Sequence, residues 1–456
     1  MSKLLTVILA AGKGTRMKSR LPKVLHKIGG KPMVEQVLCA VQAAGSERNV
    51  IVVGFGGEAV MQALDGRAEF AMQTEQLGTG HAVMQARDIL KDWDGTVLVV
   101  CGDTPLLTPQ TLKNLCDEHE AKQAMATVLT AKMADPTGYG RVIRDAEGLV
   151  VKIVEQKDAT EEEKLVDEVN TAIYCFEAKA LLSTLDSLTC DNAQGEYYLT
   201  DVIGILRTRG ERVWAVVADD ASEVQGVNSR VQLAQAQEVL KQRKNRQLME
   251  DGVTIIDPAS TFVDTDVEIG ADTVLFPYTW LGGKTKIGEN SVIGPNVMIE
   301  DSTIGSDVQM KFVYAHECTV KDGVTMGPYV HLRPNTVIEN NVKIGNFIEV
   351  KNSTVGEGSK LPHLSYIGDT DMGARVNVGC GTIMVNYDGK NKHRTTIEDD
   401  AFIGCNSNLV APVNIGRGSF IAAGSTITKD VPEDALGVAR ATQKNIDGWA
   451  EKNRNK

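Results

Sequence analysis

The sequence has no apolar run approaching 18 residues and no excess of positive charge, since its net charge is −12 over 456 residues. The missing apolar run excludes an ordinary transmembrane helix, and the acidic balance disfavours broad binding to nucleic acid or to an anionic membrane. The first residues, "LLTVILAA", run directly into charged residues and do not resemble a secretory signal. We therefore predict a cytoplasmic protein with local anion sites and with no nucleic-acid or membrane partner.

The eight cysteines lack C-x-x-C spacing, and the seven histidines lack H-E-x-x-H or a similar metal-binding spacing. This scatter is typical of reduced thiols in a cytoplasm and disfavours a disulfide or zinc framework. With 42% hydrophobic and 24% charged residues, the composition is that of an ordinary globular protein. The length suggests about two to four domains.

The stretch "LAAGKGTRMKSRLPKVL" at 9–25 is rich in glycine and basic residues and directly follows an apolar run. It does not fit the ATP-binding P-loop, because Gly12 and Gly14 are one residue apart and Thr15 follows a glycine. It also fails the dinucleotide fingerprint, because no glycine stands three residues after Gly14. We predict a phosphate-facing loop that follows neither common template.

Up to about residue 228, strand-like apolar runs alternate with helical stretches, which favours a doubly wound α/β domain. The predicted buried strands are "LTVILAAG", "NVIVVGFG", "TVLVVCGD" and "RVWAVVADD", and the clearest predicted helices cover 33–44 and 79–90. Ligands of such domains bind at the carboxyl ends of the strands. The loop at 9–25 and "CGD" at 101–103 both follow such ends.

Residues 229–250 contain neither glycine nor proline and predict one connecting helix, with Gly252 as its stop. Beyond it, aliphatic–glycine pairs recur at multiples of six residues, as at Gly270, Gly288 and Gly294. This hexapeptide repeat predicts a parallel β-helix with three hexads per coil and its longest inserted loop at 386–394. A glycine-rich β-sandwich is the alternative.

The motif L-A-A-G-x-G-T-R-M at 9–17, followed by Pro22-Lys23, resembles the sugar-nucleotidyltransferase signature, and the hexapeptide repeat resembles left-handed β-helix acyltransferases. Nearly the whole chain is similar to the bacterial bifunctional family of N-acetylglucosamine-1-phosphate uridyltransferases and glucosamine-1-phosphate acetyltransferases. The similarity rests on the order of "QTEQLGTGHA", "GDTPLL", "DPTGYGR", "IVEQKDA", "NAQGEYYLTD", "EVQGVNSR", "LRPN", "GNFIEVK", "NYDGKNK" and "LVAPVNIG". It implies a Rossmann-like α/β uridyltransferase domain (1–228), a linker helix (229–251), and a left-handed parallel β-helix acetyltransferase domain with a C-terminal tail (252–456).

The implied function is the synthesis of UDP-N-acetylglucosamine, a precursor of peptidoglycan and, where present, lipopolysaccharide. Acetyl-CoA would acetylate glucosamine-1-phosphate, and UTP would then uridylate the product and release pyrophosphate. The resemblance also implies a homotrimer. Two alternatives are a sugar-1-phosphate nucleotidyltransferase with a regulatory, non-catalytic β-helix and a trimeric scaffold without activity. The histidine at 363 and the loop "NYDGKNK" count against the first alternative, and "LAAGKGTRM" counts against the second.

Uridyl transfer requires that charge be neutralised on the reacting and leaving phosphates, which a loop of backbone N–H groups leading to a helix N-terminus can assist. We expect Arg16 and Lys23 to supply positive charge as catalytic residues, and Asp103 to bind Mg²⁺, although a turn is the plainer explanation of "DTP". The resemblance adds Asn228 as the second metal ligand. It assigns Gln73, Gly78 and Thr79 to uracil and Gly140, Glu155 and Asn170 to the sugar, where Ala172 replaces a common glycine. The complete set implied to bind UDP-N-acetylglucosamine is Leu9, Ala10, Ala11, Gly12, Lys23, Gln73, Gly78, Thr79, Gly140, Glu155, Asn170 and Asn228.

Acetyl transfer requires a base for the attacking amine, and His363 among polar residues suits that role, although a surface histidine is the plainer explanation. The resemblance also makes His363 the base, and Glu349 would orient or polarise the site. It assigns glucosamine-1-phosphate to Arg333, Lys351, Tyr366 and Asn377. It assigns acetyl-CoA to Cys380, Asn386, Tyr387, Cys405, Ala423 and Arg440, with Cys380 and Cys405 standing where the family usually has Ala and Ser.

Overall fold

A computed structural model describes residues 3–454, so residues 1, 2, 455 and 456 at the ends of the predicted domains lie outside the described residues. The chain divides into two compact units, Met1–Leu240 and Lys241–Lys456. The division falls inside the predicted connecting helix, which the structure places at Arg230–Glu250. Where the two activities divide along the chain stays a prediction.

The first unit is built around a nine-stranded sheet with the central order β11-β7-β10-β6-β1-β4-β5. The strands of the unit are β1 (Leu4–Ala10), β2 (Lys27–Ile28), β3 (Lys31–Pro32), β4 (Arg48–Val53), β5 (Glu69–Met72), β6 (Thr96–Cys101), β7 (Ala126–Lys132), β8 (Arg141–Arg144), β9 (Val150–Val154), β10 (Glu168–Glu177) and β11 (Val213–Val217). The four predicted strands are β1, β4, β6 and β11, and each of them pairs in parallel with a neighbour. The sheet as a whole is mixed, because β10 runs antiparallel to β6 and β7.

The α-helices are α1 (Met33–Ala43), α2 (Gly57–Ala63), α3 (Thr79–Met84), α4 (Arg87–Lys91), α5 (Pro109–Ala121), α6 (Ala178–Leu185), α7 (Asp201–Thr208), α8 (Arg230–Glu250) and α9 (Trp449–Arg454). Short 3₁₀ turns cover Thr15–Met17, Lys23–Leu25, Glu163–Leu165 and Pro258–Ser260. The single helix predicted over 79–90 is two helices, because the backbone turns at Ala86 between α3 and α4.

Parallel pairing brings the carboxyl ends of the central strands to one edge of the sheet. Leu9 of β1 lies beside Cys101 of β6, and Ala10 lies beside Val53 of β4. The sequence fills these strands with aliphatic residues because both of their faces are buried, as the fully buried Val7, Ile8 and Val99 illustrate. The glycine-rich loop and Asp103 therefore begin at neighbouring points of the same edge.

The second unit is a parallel β-helix, and its two long ladders contain nineteen and nine strands. Its strands are β12 (Thr254–Ile255), β13 (Phe262–Val263), β14 (Glu268–Ile269), β15 (Val274–Leu275), β16 (Thr279–Gly282), β17 (Lys286–Ile287), β18 (Val292–Ile293), β19 (Val297–Glu300), β20 (Thr303–Ile304), β21 (Gln309–Met310), β22 (Val313–His316), β23 (Thr319–Val320), β24 (Thr325–Met326), β25 (Val330–Leu332), β26 (Val337–Ile338), β27 (Lys343–Lys351), β28 (Thr354–Val355), β29 (Lys360–Gly368), β30 (Thr370–Met372), β31 (Asn377–Val378), β32 (Ile383–Val385), β33 (Thr395–Ile397), β34 (Phe402–Ile403), β35 (Asn408–Val410), β36 (Val413–Ile415), β37 (Phe420–Ile421), β38 (Thr426–Ile427) and β39 (Leu436–Gly437).

The hexapeptide period sets the spacing of the coils. Glu268 pairs with Lys286, 18 positions later, as three hexads per coil require. One aliphatic residue per hexad, such as Ile287 or Ile293, points into a single buried core. Glycine follows where coils approach closely: a Cβ added to Gly404 would lie 2.5 Å from backbone atoms of the next coil. The predicted architecture, an α/β unit followed by a hexapeptide-repeat β-helix, is confirmed.

The predicted loop at 386–394 is the largest interruption of this spacing. Thr354 pairs with Asp371, 17 positions later, whereas Thr370 pairs with Thr395, 25 positions later. The additional residues leave the coil as an inserted segment, while β30 and β33 continue the ladder on either side. The interruption lies beside His363 and its neighbouring coils.

Within residues 3–454, the structure contains no helix that is both long and apolar enough to cross a membrane.

Candidate active sites

The first unit has a cavity of about 280 Å³ at the carboxyl ends of β1 and β6. Nine of the predicted residues line it: Leu9, Ala10, Ala11, Gly12, Lys23, Gln73, Gly78, Thr79 and Asp103. The lining also includes five residues without a predicted individual role: Val24, Gln76, Ala82, Cys101 and Glu196. Burial, with a smaller contribution from Asp103, raises the pKa of Cys101 to about 12, so this thiol remains neutral.

Lys23 lies between the two predicted metal ligands. Its ammonium group makes a short contact with Asp103 Oδ2 and donates to Asn228 Oδ1 at 2.9 Å. The backbone N–H of Val227 donates to the Asp103 carbonyl at 2.8 Å, which ties the segment of Asn228 to the end of β6. The two predicted ligands, 125 positions apart in the sequence, therefore converge on one position that already suits a cation.

The predicted uracil contacts form one loop ahead of α3. Gln73 is buried and donates from Nε2 to the Gly78 carbonyl at 3.1 Å. Gly78 has φ +107° and a Cβ there would lie 2.6 Å from the Tyr197 carbonyl, so only glycine fits. Thr79 Oγ1 accepts from the Leu199 N–H at 3.1 Å. The segment 196–199 thus holds this loop in place and brings Glu196 to the cavity.

The predicted sugar contacts form a second group, in which Gly140 directly precedes β8, Glu155 directly follows β9 and Asn170 lies on β10. The Asn170 N–H donates to the Gly140 carbonyl at 2.9 Å, and a Cβ on Gly140 would lie 3.5 Å from both Glu155 carboxylate oxygens. Burial raises the pKa of Glu155, and the nearby carboxylates Asp158 and Asp201 add to that effect. The structure brings these three residues together, although none of them lines the cavity just described.

Ala172 adopts a left-handed backbone, with φ +59°, at the bulge of β10 beside Asn170. Its N–H donates to Asn170 Oδ1 at 3.1 Å, and the Tyr174 hydroxyl donates to the same oxygen at 2.9 Å. An alanine is strained in this region, where glycine is not. The bulge therefore orients Asn170, and the alanine lowers stability there.

Arg16 is exposed on the 3₁₀ turn Thr15–Met17 and does not line the cavity. The glycine-rich loop leads into this three-residue 3₁₀ turn and not into an α-helix. Left-handed Gly14 (φ +59°) and Lys18 (φ +47°) flank the turn on either side and stop it from extending.

In the second unit, the pairing of strands places four predicted residues in one column across successive coils. Lys360 pairs with Asn377, Asn377 with Phe402, and Phe402 with Phe420. Three positions after these paired residues stand His363, Cys380, Cys405 and Ala423. Adjacent parallel strands lie about 4.8 Å apart, so the column is a continuous path along the coil axis. Cys405 and Ala423 are exposed and Cys380 is half-buried.

His363 is exposed and contacts Asn346, its partner in the preceding coil. His363 Nδ1 lies 2.9 Å from Asn346 Oδ1. An amide oxygen only accepts hydrogen bonds, so the contact places the imidazole proton on Nδ1 and leaves the Nε2 lone pair for a substrate proton. Asn346 belongs to the motif "GNFIEVK" but was not predicted as a site residue, because only the register between coils joins it to His363.

Asp369, which the sequence analysis also missed, links two predicted ligand groups. Its Oδ2 accepts from Asn386 Nδ2 at 2.5 Å and lies 3.6 Å from the Lys351 ammonium. Its Oδ1 accepts from Asn352 Nδ2 at 2.5 Å. Burial acts to raise the pKa of Asp369, but hydrogen bonds from Asn352 and Asn386 and the charge of Lys351 lower it overall. The ionised carboxylate thus holds Lys351 and Asn386 together.

The remaining predicted residues lie around this centre. Arg333 donates to Glu349 Oε1 at 2.9 Å, and Asn386 Nδ2 lies 3.4 Å from the Tyr366 hydroxyl. Arg440 donates to the Ala423 carbonyl at 3.0 Å, at the far end of the column. Asn377 is half-buried at the start of β31, and Tyr387 is exposed on the inserted segment.

Comparisons with known proteins agree with this architecture. Residues 5–249 match the family model described as "Nucleotidyl transferase", and residues 394–429 match "Bacterial transferase hexapeptide (six repeats)". The chain is 55% identical over 455 residues to the bifunctional protein GlmU of Halalkalibacterium halodurans, covering 100% of both chains. The chain belongs to the GlmU family. The proteins of the same name from a Geobacillus species and from Listeria monocytogenes are 54% and 53% identical, over 99% of this chain and 98% and 99% of theirs.

Membership in this family confirms the predicted function: the chain is a bifunctional transferase of UDP-N-acetylglucosamine synthesis, with a uridyltransferase and an acetyltransferase activity. The alternatives of a non-catalytic β-helix and of an inactive scaffold are set aside by the same full-length similarity.

Proposed function

We propose that the cavity of the first unit carries out uridyl transfer and that the column of the second unit carries out acetyl transfer. The observation behind this assignment is that each unit has its own convergent polar centre. In the first unit, Lys23 joins Asp103 to Asn228. In the second unit, Asn346 fixes His363.

In the uridyl reaction, a phosphate oxygen of N-acetylglucosamine-1-phosphate attacks the α-phosphorus of UTP, and pyrophosphate leaves. The backbone of 10–12 and the side chains of Lys23 and Arg16 would hold the phosphates, since fixed positive charge lowers the barrier to phosphoryl chemistry. Gln73, Gly78 and Thr79 would hold uracil, and Gly140, Glu155 and Asn170 would hold the sugar. Lys23 lies within the cavity, whereas the exposed Arg16 would have to close over it.

The residues fit a Mg²⁺ ion. Asp103 and Asn228 offer one carboxylate and one amide oxygen to a position that a cationic nitrogen already accepts. Mg²⁺ commonly binds one or two protein oxygens and completes its shell with water and substrate phosphate. When bound there, it would neutralise charge on the phosphates of the nucleotide.

In the acetyl reaction, the amine of glucosamine-1-phosphate attacks the thioester of acetyl-CoA. His363 Nε2 would take the amine proton while Asn346 holds the opposite ring nitrogen protonated. Arg333 and Lys351 would bind the substrate phosphate, with Tyr366 and Asn377 around the sugar. Acetyl-CoA would lie along Cys380, Cys405 and Ala423 and reach Asn386, Tyr387 and Arg440.

Two substitutions test the assignment on one preparation each. We expect Asp103→Asn to abolish most uridyl transfer and to leave acetyl transfer near that of the parent protein. We expect His363→Ala to lower acetyl transfer by about 10²- to 10⁴-fold and to spare uridyl transfer. An acetyl-transfer rate of His363→Ala within a few-fold of the parent rate would refute the assignment of His363 as the base.

Matched controls come from the same units. Asp145 forms an ion pair with Arg207 away from the cavity, and His316 stacks on Tyr314 and His331 away from the column. Asp145→Asn and His316→Ala remove the same chemical groups, so both rates should persist in both variants. Loss of either rate in these controls would indicate a general effect on folding.

We also propose that the protein is a homotrimer formed by its β-helices. Aromatic side chains along one row of corners are exposed, with Tyr278, Tyr329 and Phe347 at 68%, 56% and 54%. Rows of exposed apolar side chains are typical of interaction surfaces. Light scattering should give three chains per particle, and an acetylating monomer would contradict this proposal.

We place the protein in the cytoplasm. All eight cysteines are free thiols, which is typical of a reducing compartment. UTP and acetyl-CoA are also cytoplasmic substrates of the proposed reactions. Fractionation of cells with an antibody against the chain would test the location.

A further inference from the structure

Lys23 occupies the position that the proposed metal would need. Its ammonium group contacts Asp103 Oδ2 and lies 2.9 Å from Asn228 Oδ1, and the Lys23 and Asp103 side chains are only 13% and 17% exposed. Mg²⁺ binds its ligands at about 2.1 Å. An ion coordinated by the same two oxygens would therefore overlap or closely approach the ammonium nitrogen, and two cations repel strongly at such a distance.

The two segments that carry these oxygens are held together without the lysine. The Val227 N–H donates to the Asp103 carbonyl at 2.8 Å, and the Asn228 N–H donates to Gln232 Oε1 at 2.8 Å. Asn228 Nδ2 also donates to the Gly226 carbonyl at 3.3 Å. These contacts involve backbone groups and a side chain of α8, so the segments of Asp103 and Asn228 stay together when the ammonium group leaves them.

The Lys23 side chain can also reach a second position, beside the glycine-rich loop. Its stem lies against the glycine-rich loop, since a Cβ on Gly14 would lie 2.6 Å from Lys23 Cβ. Lys23 also lines the cavity with Ala10, Ala11 and Gly12. Rotation of its flexible side chain moves the ammonium group from Asp103 towards the nucleotide phosphates while the backbone stays in place.

We propose that Lys23 is a resident counter-ion of the metal site, which a divalent cation displaces only when nucleotide phosphates receive the freed ammonium group. This inference rests on the proposed function of the cavity. The free protein then binds a divalent cation weakly, and nucleotide and cation bind with positive coupling, each raising the affinity for the other by the same factor. Lys23 thereby restricts productive metal binding to the nucleotide complex.

The test measures Mn²⁺ binding to the full chain without nucleotide, from the electron paramagnetic resonance signal of free Mn²⁺. Lys23→Met keeps an unbranched apolar stem of nearly the same length and removes the charge. We expect this variant to bind Mn²⁺ at least about tenfold more tightly than the parent protein, within the usual range of coupling between ligands. Lys23→Gln provides a second version if the methionine variant does not fold, as judged by its melting temperature.

Lys13→Met is the matched control, because Lys13 is an exposed lysine of the same loop. Its affinity for Mn²⁺ should stay within about twofold to threefold of the parent value, since distant exposed charges are screened. Equal affinities of the Lys23 variants and the parent would overturn the proposal. An equal gain in Lys13→Met would also overturn it, because the effect would then reflect the general charge of the loop.

A second arm separates failure of this proposal from failure of the metal site. Because UTP itself chelates Mn²⁺, this arm measures UTP binding by equilibrium dialysis with and without Mn²⁺. Mn²⁺ should raise the affinity of the parent protein for UTP and should not raise that of Asp103→Asn; if Asp103 makes no difference, the proposed metal site is wrong. Adding Asp103→Asn to Lys23→Met should cancel the gain in affinity. If Asp103 is required in the presence of UTP, but Lys23→Met shows no higher affinity for Mn²⁺ in the absence of UTP, the metal site is supported and the counter-ion role is refuted.

Discussion

The hydrogen bond between Asn346 and His363 permits a quantitative test of the proposed base. Asn346 Oδ1 lies 2.9 Å from His363 Nδ1, and both groups are neutral when Nε2 is ready to accept a proton. A neutral hydrogen bond of this kind contributes about 0.5–1.5 kcal/mol, which corresponds to about 2- to 13-fold in rate. Asn346→Ala should therefore slow acetyl transfer by that factor, far less than His363→Ala.

The assay follows thiol release from acetyl-CoA at saturating glucosamine-1-phosphate, with uridyl transfer measured on the same preparation. Asn346→Asp should retain the parent rate within about threefold, because a carboxylate oxygen accepts the same hydrogen bond. Asn414→Ala is the control, since Asn414 is a strand asparagine of the same β-helix that binds Asp430 instead.

The double variant decides whether Asn346 acts through His363. In a protein that already carries His363→Ala, Asn346→Ala should have no further effect, because the hydrogen bond has lost its partner. If Asn346→Ala slows acetyl transfer equally with and without His363, the two residues act independently and the tautomer argument is refuted. An equal loss of uridyl transfer would indicate a folding defect.

Four further predictions concern other parts of the chain. Ala172→Gly should raise the melting temperature of the first unit by a few degrees, because it removes left-handed strain of about 1–2 kcal/mol at the cost of some unfolded-state entropy; a lower melting temperature would contradict this. Alkylation of exposed Cys405 should block acetyl transfer and spare uridyl transfer, and bound acetyl-CoA should slow the alkylation. Acetyl transfer should survive alkylation in Cys405→Ser but not in Cys190→Ser. Lys351→Met should raise the KM for glucosamine-1-phosphate at least about tenfold, the usual value of a charged hydrogen bond, and an unchanged KM would exclude a phosphate contact. A fragment of residues 1–240 should retain uridyl transfer. A fragment that ends at Arg230 should have a lower melting temperature, because the cluster around Ile28 and Met33 loses Leu233, Ala236, Val239 and Leu240. Equal melting temperatures of the two fragments would refute this packing contribution.

The parts of the fold that repeat could be predicted from the sequence. Glycine spacing of 18 gave the coil length because close approach between coils excludes a side chain at positions such as Gly404. The buried parallel strands β1, β4 and β6 were predictable from continuous aliphatic runs. The antiparallel β10 was not, since "EVNTAIYCFE" has no pattern that indicates its direction.

Some of the site residues could be predicted from the sequence, and others could not. The loop at 9–12 and Asp103 follow strand ends, so their meeting in one cavity was predictable from parallel pairing. The ion pair of Lys23 with Asp103 was not, because it depends on the path of the chain after the 3₁₀ turn. Asn346 and Asp369 act on His363 and Lys351 through the register of adjacent coils, which no local motif records.

The inserted segment explains why the acetyl site we propose lies at one coil of a repetitive structure. In a regular β-helix each corner repeats the one before, so no position acquires a distinct set of neighbours. The step from 17 to 25 residues between paired strands releases the segment 386–394 from the coil. Its first residue, Asn386, turns back and donates to Asp369, which belongs to the coil before the insertion and contacts Lys351. One insertion therefore joins the proposed phosphate and acetyl-CoA contacts, and the ladder of paired strands continues on both sides of it.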